Sequence, residues 1–335
     1  MQSSKEPKRR KVVSRRTLGD VLASRDLLRH MTVYQAGVYE DMRGFINLPA
    51  LTLCTALRNT DHQPMLRVID AALVPWYTQY GIRRLNILID CLPRMYDIVV
   101  VHAVVHGRLG VLSYLHKTRT LHHHAVDLAA RVSQLDVLTF LSDINHTGFS
   151  PYTMDTAAIR GQLDAVIWLD IHRTEGCTTI AMDGAATNGH LSVLEWLDAH
   201  RTEGCTSRAM DGAAMHGHLA IVEWLDAHRT EGCTTDAMDA AAQKGHLHVV
   251  QWLHTHRTEG CTELALVGAA TGGHLDLVEY LYANRHTESA LEAAAIARRH
   301  GHDQVFAFLA DHVARGYGVP VAVLTQMLDR EATRT

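Results

Sequence analysis

The Gly-His pairs at Gly189-His190, Gly217-His218, Gly245-His246 and Gly273-His274 recur with a strict period of 28, and that period constrains the fold more than any other feature. Around each pair the same text returns. A-M-D-G-A-A-T-N-G-H-L-S-V-L-E-W-L-D-A-H-R-T-E-G-C-T runs from Ala181, the frame restarts at Ala209 and Ala237, and a drifted copy begins at Ala265. A unit this small cannot bury an apolar face alone, so copies must stack on their neighbours into a solenoid that presents a long surface. Steps of 28 from Gly189 reach Gly161 and Ser133 in one direction and Gly301-His302 in the other, and one slightly shorter step back from Ser133 finds Gly107 in the anchor place. About eight units result, with decay at both ends, as expected where a terminal unit has one face in water.

Each unit reads as two short helices. Ala181 to Asn188 has a small-residue interior, and Gly189 stops it because glycine takes the left-handed conformation without a Cβ clash. From Leu191 to His200 the positions Leu191, Val193, Leu194 and Leu197 form one apolar stripe, with Glu195 and Asp198 on the polar back. Thr206 or Ser207 is then placed to cap the next first helix. Helices of eight to ten residues are marginal alone in water, so stacking must hold them.

The pattern A-A-x-x-G-H-L-x-V-V/L-E-W-L resembles the ankyrin repeat, and the likeness runs over most of residues 97–312. The resemblance implies an all-α, ankyrin-type helix-turn-helix solenoid that binds a protein along its concave face. Two departures stand out. The family's Thr-Pro-Leu-His opening is replaced, with Asp183, Asp211 and Asp239 where its histidine stands, so the usual histidine network is absent or rebuilt. The period is also shorter than the family's usual value of about 33, which leaves tight turns where typical members have finger-like hairpins.

The remaining chain divides into a basic tail over residues 1–16, a helical N-terminal cap region over 17–96, and a C-terminal helix and tail over 313–335. The tail carries seven Lys or Arg against Glu6, a local charge of +6, while the whole chain is formally −4, so the rest is strongly acidic. An acidic body argues against nucleic acid as a partner. Lys8, Arg9, Arg10 and Lys11 resemble a nuclear-import signal for an import receptor, against the blander reading of a solvated tail. Within the cap region, T-L-G-D-V-L-A-S-R-D-L-L-R-H-M and M-L-R-V-I-D-A-A-L-V-P-W-Y have helical spacing, and Pro75 should kink or end the second. A degenerate F-box-like reading of this region would make the chain a substrate-receptor adaptor of a ubiquitin ligase. With no apolar run of about 18 residues and no disulfide framework, the expectation is an intracellular monomer, nuclear or cytoplasmic, away from membranes.

Three periodic ladders invite functional readings. Cys177, Cys205, Cys233 and Cys261 recur with His172, His200, His228 and His256, but one cysteine and one histidine per turn, spaced along a rod, do not converge on a metal; packing residues and no metal site are expected. Trp168, Trp196, Trp224, Trp252 and Tyr280 read as a packing ladder facing the neighbouring unit. Arg201 and Glu203 with their copies read as weak surface ion pairs. His122-His123-His124 is the one non-periodic cluster and reads as a solvated loop. No phosphate loop, nucleophile elbow or zincin motif occurs, so neither an enzyme nor a cofactor is expected.

The units differ chiefly at two places. The pair before the anchor glycine reads Ile159-Arg160, Thr187-Asn188, Met215-His216, Gln243-Lys244 and Thr271-Gly272, and the turn contributes Ile180, Arg208, Asp236 and Leu264. By the resemblance, these places line the concave groove. Partner contacts are therefore expected at Ile159, Arg160, Ile180, Thr187, Asn188, Arg208, Met215, His216, Asp236, Gln243, Lys244 and Thr271.

Overall fold

A computed structural model describes residues 38–58, 63–284 and 289–332, and the chain falls into two compact units. The described part of the first comprises residues 38–103 and 110–120; that of the second comprises 104–109 and 121–332. Among the described residues there is helix and turn but no strand.

The first unit contains α1 (Leu53–Arg58), α2 (Gln63–Tyr80), α3 (Leu85–Cys91) and most of α4 (Met95–Val105) and α5 (Leu109–Thr118). α2 continues through Pro75, which corrects the expectation that the proline ends it. Pro75 and Ala71, whose carbonyl loses its partner, are both exposed, so water can satisfy that carbonyl while buried Leu66, Ile69, Leu73 and Trp76 hold the helix on either side. Asp41 ties this unit together. It takes two hydrogen bonds from Arg84 at 2.7 and 2.8 Å and one from the Trp76 indole at 3.1 Å, and Arg84 holds its carboxyl below the usual range.

The second unit is the repeat array. Its helices run in consecutive pairs: α6 (His124–Arg131) and α7 (Leu135–Asp143), α8 (Pro151–Ile159) and α9 (Leu163–His172), α10 (Thr179–Thr187) and α11 (Leu191–His200). The series continues with α12 (Ser207–Met215) and α13 (Leu219–His228), α14 (Thr235–Lys244) and α15 (Leu247–His256), α16 (Glu263–Gly272) and α17 (Leu275–Ala283). α18 (Ala290–His300), α19 (Asp303–Tyr317) and α20 (Val321–Ala332) follow. First helices bury alanines such as Ala181, Ala185 and Ala186, whose small side chains let neighbouring first helices approach; second helices bury Val193, Leu194 and Leu197. Each first helix of the clean copies starts at a threonine cap, with Thr206 accepting from the Arg208 amide. The anchor glycines end them at positive φ, +84° at Gly189.

Two interlocks join one repeat to the next. In the first, an aspartate inside a first helix reaches the cap of the following one: Asp183 Oδ1 accepts the Thr206 amide and Oδ2 its hydroxyl, both at 2.7 Å. Asp155 holds Thr178 in the same way, Asp211 holds Thr234 and Asp239 holds Thr262. The missing histidine network is thus rebuilt with carboxylates. Burial pushes the carboxyls of Asp155, Asp183 and Asp211 upward, and the two threonine donors pull them back.

The second interlock explains why glycine and histidine travel together. His302 Nε2 donates to the Thr271 carbonyl at 2.9 Å, in the preceding repeat, and His190, His218 and His246 bond the carbonyls of Ile159, Thr187 and Met215 equivalently. Each ring lies against the anchor glycine of the repeat before it. A Cβ on Gly161 would stand 2.5 Å from His190 Nδ1, and one on Gly189 would stand 2.8 Å from His218 Cε1. The glycine therefore serves its own turn and the next repeat's histidine. Where the motif decays, Gln134 takes over, its amide donating to the Val105 carbonyl at 2.8 Å.

Replacing Asp183 with asparagine should cost about 1.5–3 kcal/mol, because one of Thr206's two donors then faces an amide NH2 and the charge assistance is lost. Urea unfolding followed by circular dichroism measures this, with Glu195→Gln on the exposed face moving stability by no more than about 0.5 kcal/mol.

The histidine interlock carries its own pH dependence. Desolvation, chiefly, lowers the pKa of His190, His218 and His246 in the fold, and neighbouring histidines add repulsion at the latter two. The unfolded chain therefore binds more protons as pH falls through about 6.5, so this stabilisation is complete above that value and is lost below it. The urea midpoint should drop as the pH is taken from 7.5 to 5.5. The His218→Gln/His246→Gln variant, which installs the side chain that Gln134 uses for the same bond, should show a shallower drop. Equal slopes in the two proteins would contradict the assignment.

Candidate functional site

The first helices α10, α12, α14 and α16 enclose a groove of about 540 Å³. Its lining repeats with the period of the chain. Thr187, Met215, Gln243 and Thr271 form one column, Arg208, Asp236 and Leu264 a second, Asp211, Asp239 and Val267 a third, and Gly212, Ala240 and Gly268 a fourth. The fourth column sets how closely the helices approach. A Cβ on Gly212 would lie 2.1 Å from Thr187 Oγ1, and one on Gly268 would lie 3.0 Å from Gln243 Cβ, so each of these glycines receives a side chain from the preceding repeat. Ile159 presses on Gly184 in the same manner one repeat earlier, where a Cβ would meet its Cγ1 at 2.3 Å.

Of the residues singled out from sequence, Thr187, Arg208, Met215, Asp236, Gln243 and Thr271 meet in this groove. Ile159, Arg160, Ile180, Asn188, His216 and Lys244 are not part of its lining. Asn188 and His216 are C-cap residues that fold back on their own helices, Asn188 Nδ2 donating to the Gly184 carbonyl at 2.8 Å and His216 Nδ1 to the Gly212 carbonyl at 3.0 Å. Arg160 is half-buried, and desolvation lowers its pKa. Ile180 and Lys244 are exposed. The residues not expected to touch a partner are the third and fourth columns and Leu264; the signal was that the two columns lie three or four positions along the same helix from a variable site, and that Leu264 is itself one of the varying turn positions. Leu264 is 62% exposed, an apolar side chain unused by the fold. Lys8, Arg9, Arg10 and Lys11 lie outside the described residues, as does the first helical stretch quoted for an adaptor.

The turn between repeats is built more firmly than the sequence suggests. Arg201 donates to Asp170 on the preceding second helix at 2.9 Å and to Glu203 at 2.6 Å, while Glu203 also accepts the Cys177 amide at 3.3 Å. Arg229 repeats this with Asp198 and Glu231, and Arg257 with Asp226 and Glu259. These are repeat-bridging networks rather than weak surface pairs, because the aspartate belongs to the neighbouring unit and the side chains are about a quarter exposed. The Arg201 hydrogen bond holds Glu203 down to about 2. Beside them, Cys177 and Cys205 are buried and Cys233 and Cys261 half-buried; burial pushes the thiols up to about 12 in Cys177 and about 11 in the other three. A thiol so raised is a poor nucleophile and a poor ligand at neutral pH.

The tryptophan ladder has a further partner within each helix. Each half-buried ring stacks on a histidine one turn later in its own helix, Trp196 on His200 at 4.4 Å and 8°, and Trp168, Trp224 and Trp252 likewise. The histidine is held there by its Nδ1–H, which donates to the tryptophan carbonyl at 2.8 Å. No helix among the described residues is long and apolar enough to cross a membrane.

Comparison with known proteins agrees with this geometry. The family model for ankyrin repeats (many copies) matches residues 210–254, the stretch from α12 to α15 that forms the centre of the groove and the second helices behind it. No match was found among curated proteins. Residues 210–254 are thus ankyrin repeats, set within a longer array of helix pairs that recur at the same period on both sides of that stretch.

Proposed function

We propose that the protein is a non-catalytic scaffold that seats a segment of a protein partner in the groove of α10, α12, α14 and α16. Ankyrin repeats are protein–protein interaction modules, which supports the general role. One observation carries the finer reading: two columns that differ from one repeat to the next, within a motif that is otherwise largely repeated, meet in a single groove. Positions that serve only the joint are repeated, as with the caps Thr178, Thr206, Thr234 and Thr262. Thr187, Met215, Gln243 and Thr271 differ in size and polarity although each occupies the same seat. A surface so graded can select among ligands, with Met215, Ala240, Val267 and Leu264 offering apolar contact and Arg208 and Asp236 orienting charge at exposed positions. On this reading residues 17–96 act as a cap and 97–312 as the array that binds.

Proximity labelling in cells with the full chain tests the proposal. The variant Met215→Glu/Gln243→Glu should lose at least about tenfold of the labelling of its specific neighbours, since a few central residues carry most interface energy. Glu195→Lys/Glu223→Lys, on the exposed faces of α11 and α13, should leave it unchanged. Gln243, Glu195 and Glu223 are exposed, where substitutions shift stability by only about 0.5 kcal/mol each, and circular dichroism with urea unfolding checks that the half-buried Met215 also tolerates its change. Loss confined to the second variant would place the interface on the other face.

A further inference from the structure

Where the repeat motif decays, the chain places His122, His123 and His124 beside the N-terminus of α6, and their rings gather. His122 and His123 stand 4.3 Å apart between centroids, His123 and His124 4.0 Å, and His122 and His124 5.1 Å. One ring nitrogen from each lies within 4.8 Å of the others. The segment is also clamped. Leu121 is buried, its carbonyl accepts His146 Nε2 at 3.2 Å, and the following loop packs so closely that a Cβ on Gly148 would stand 2.4 Å from the His123 carbonyl oxygen. The expectation of a solvated loop does not account for that packing.

A second observation comes from Asp127, one repeat before Asp155. In the clean copies both carboxylate oxygens are spent on the threonine that caps the next first helix. Asp127 breaks the rule. Its Oδ1 accepts the Thr153 hydroxyl at 2.9 Å, but its Oδ2 faces His124 Nδ1 at 3.2 Å. Asp127 is 4% exposed, so this carboxylate has been diverted from the inter-repeat clamp to hold one imidazole. With Nδ1–H donated to Asp127, the neutral ring of His124 carries its lone pair on Nε2. A buried carboxylate that fixes the tautomer and orientation of a histidine is the usual outer partner of a ligating imidazole.

We propose that His122, His123 and His124 form a site for one divalent transition-metal ion of the zinc type, with Asp127 as the carboxylate that positions His124. Three imidazoles and a water complete a four-coordinate shell for a borderline-soft ion. Bonds of about 2.0–2.1 Å set tetrahedral donors roughly 3.3 Å apart. Nitrogens already within 4.8 Å reach that spacing by side-chain rotation, and His123 is exposed and able to turn. The positive end of α6 opposes a cation, and the charge of Asp127 in the first turn of that helix offsets it. Among the described residues, only here do three histidines from one short segment converge; the periodic histidines occur one per repeat at each ladder position.

The test uses the full chain without a polyhistidine tag, titrated with Zn²⁺ by calorimetry at pH 7.5, and with Co²⁺ for visible absorbance. One site should bind at least about tenfold more tightly than the background of scattered histidines, and Co²⁺ in it should show the intense bands of four-coordination. His123→Ala should abolish both signals. Asp127→Asn should weaken binding by about 10- to 100-fold while keeping the stoichiometry. His200→Ala, in the periodic ladder, should change neither. Circular dichroism identical to that of the parent shows that His123→Ala, an exposed position, is folded. A tight site that survives His123→Ala in the folded protein, or parent binding no stronger than that variant's, overturns the proposal.

Discussion

The centre of the array depends on carboxylates, largely withdrawn from water, that reach across four successive joints. Asp155, Asp183, Asp211 and Asp239 sit inside first helices yet satisfy the amide and hydroxyl of the residue that begins the next first helix. Taking an ionised group out of water is costly unless every lone pair finds a donor, and here the donors come from the neighbouring repeat. The stacking of repeats is therefore a condition for the carboxylate's own solvation. The same threonine turns its oxygen to the amide two residues on, so capping of one helix and attachment of two repeats are a single hydrogen-bonded unit.

On that joint the other contacts fall into place. Glycine at the anchor ends a helix and leaves room for the next repeat's histidine, whose ring returns a hydrogen bond to the preceding carbonyl. Arginine in the turn bridges the aspartate of the previous second helix and the glutamate beside it. With the first helices held this closely, small residues at Gly212, Ala240 and Gly268 form a floor over which Thr187, Met215, Gln243 and Thr271 project. The groove is a consequence of the clamp, since a looser joint would not bring four helices to one surface. At Asp127 the clamp is altered, one oxygen going to His124 instead of a cap, and the altered joint is where three imidazoles meet.

Much of this was readable in the amino-acid sequence. Helix bounds followed from glycine and threonine positions, and the cap was narrowed to Thr206 or Ser207, of which the fold uses Thr206. The pair of variable columns was visible as contrast against repeated text, yet which member of each pair faces inward was not. Thr187 and Met215 enter the groove, whereas Asn188 and His216, one residue on, turn back to cap their helices. One residue is about 100° of helix, and near a helix end that angle depends on how the last turn closes.

What the sequence by itself determined is the period, the two-helix unit, its capping chemistry and the need to stack, because these rest on local stereochemistry that returns with every copy of the motif. Tertiary structure alone decided which partner each polar side chain takes. Asp183 and Thr206 are 23 residues apart, and His302 and Thr271 are 31, separations over which no local rule pairs a donor with an acceptor. Tertiary packing likewise turned a row of arginine and glutamate copies into bridges between units, and passed the tryptophan rings to histidines of their own helices. The physical reason is common to all of these. Periodicity states that neighbours are equivalent, but the distance and rotation between them come only from packing, and hydrogen bonds are sensitive to both within a few tenths of an ångström.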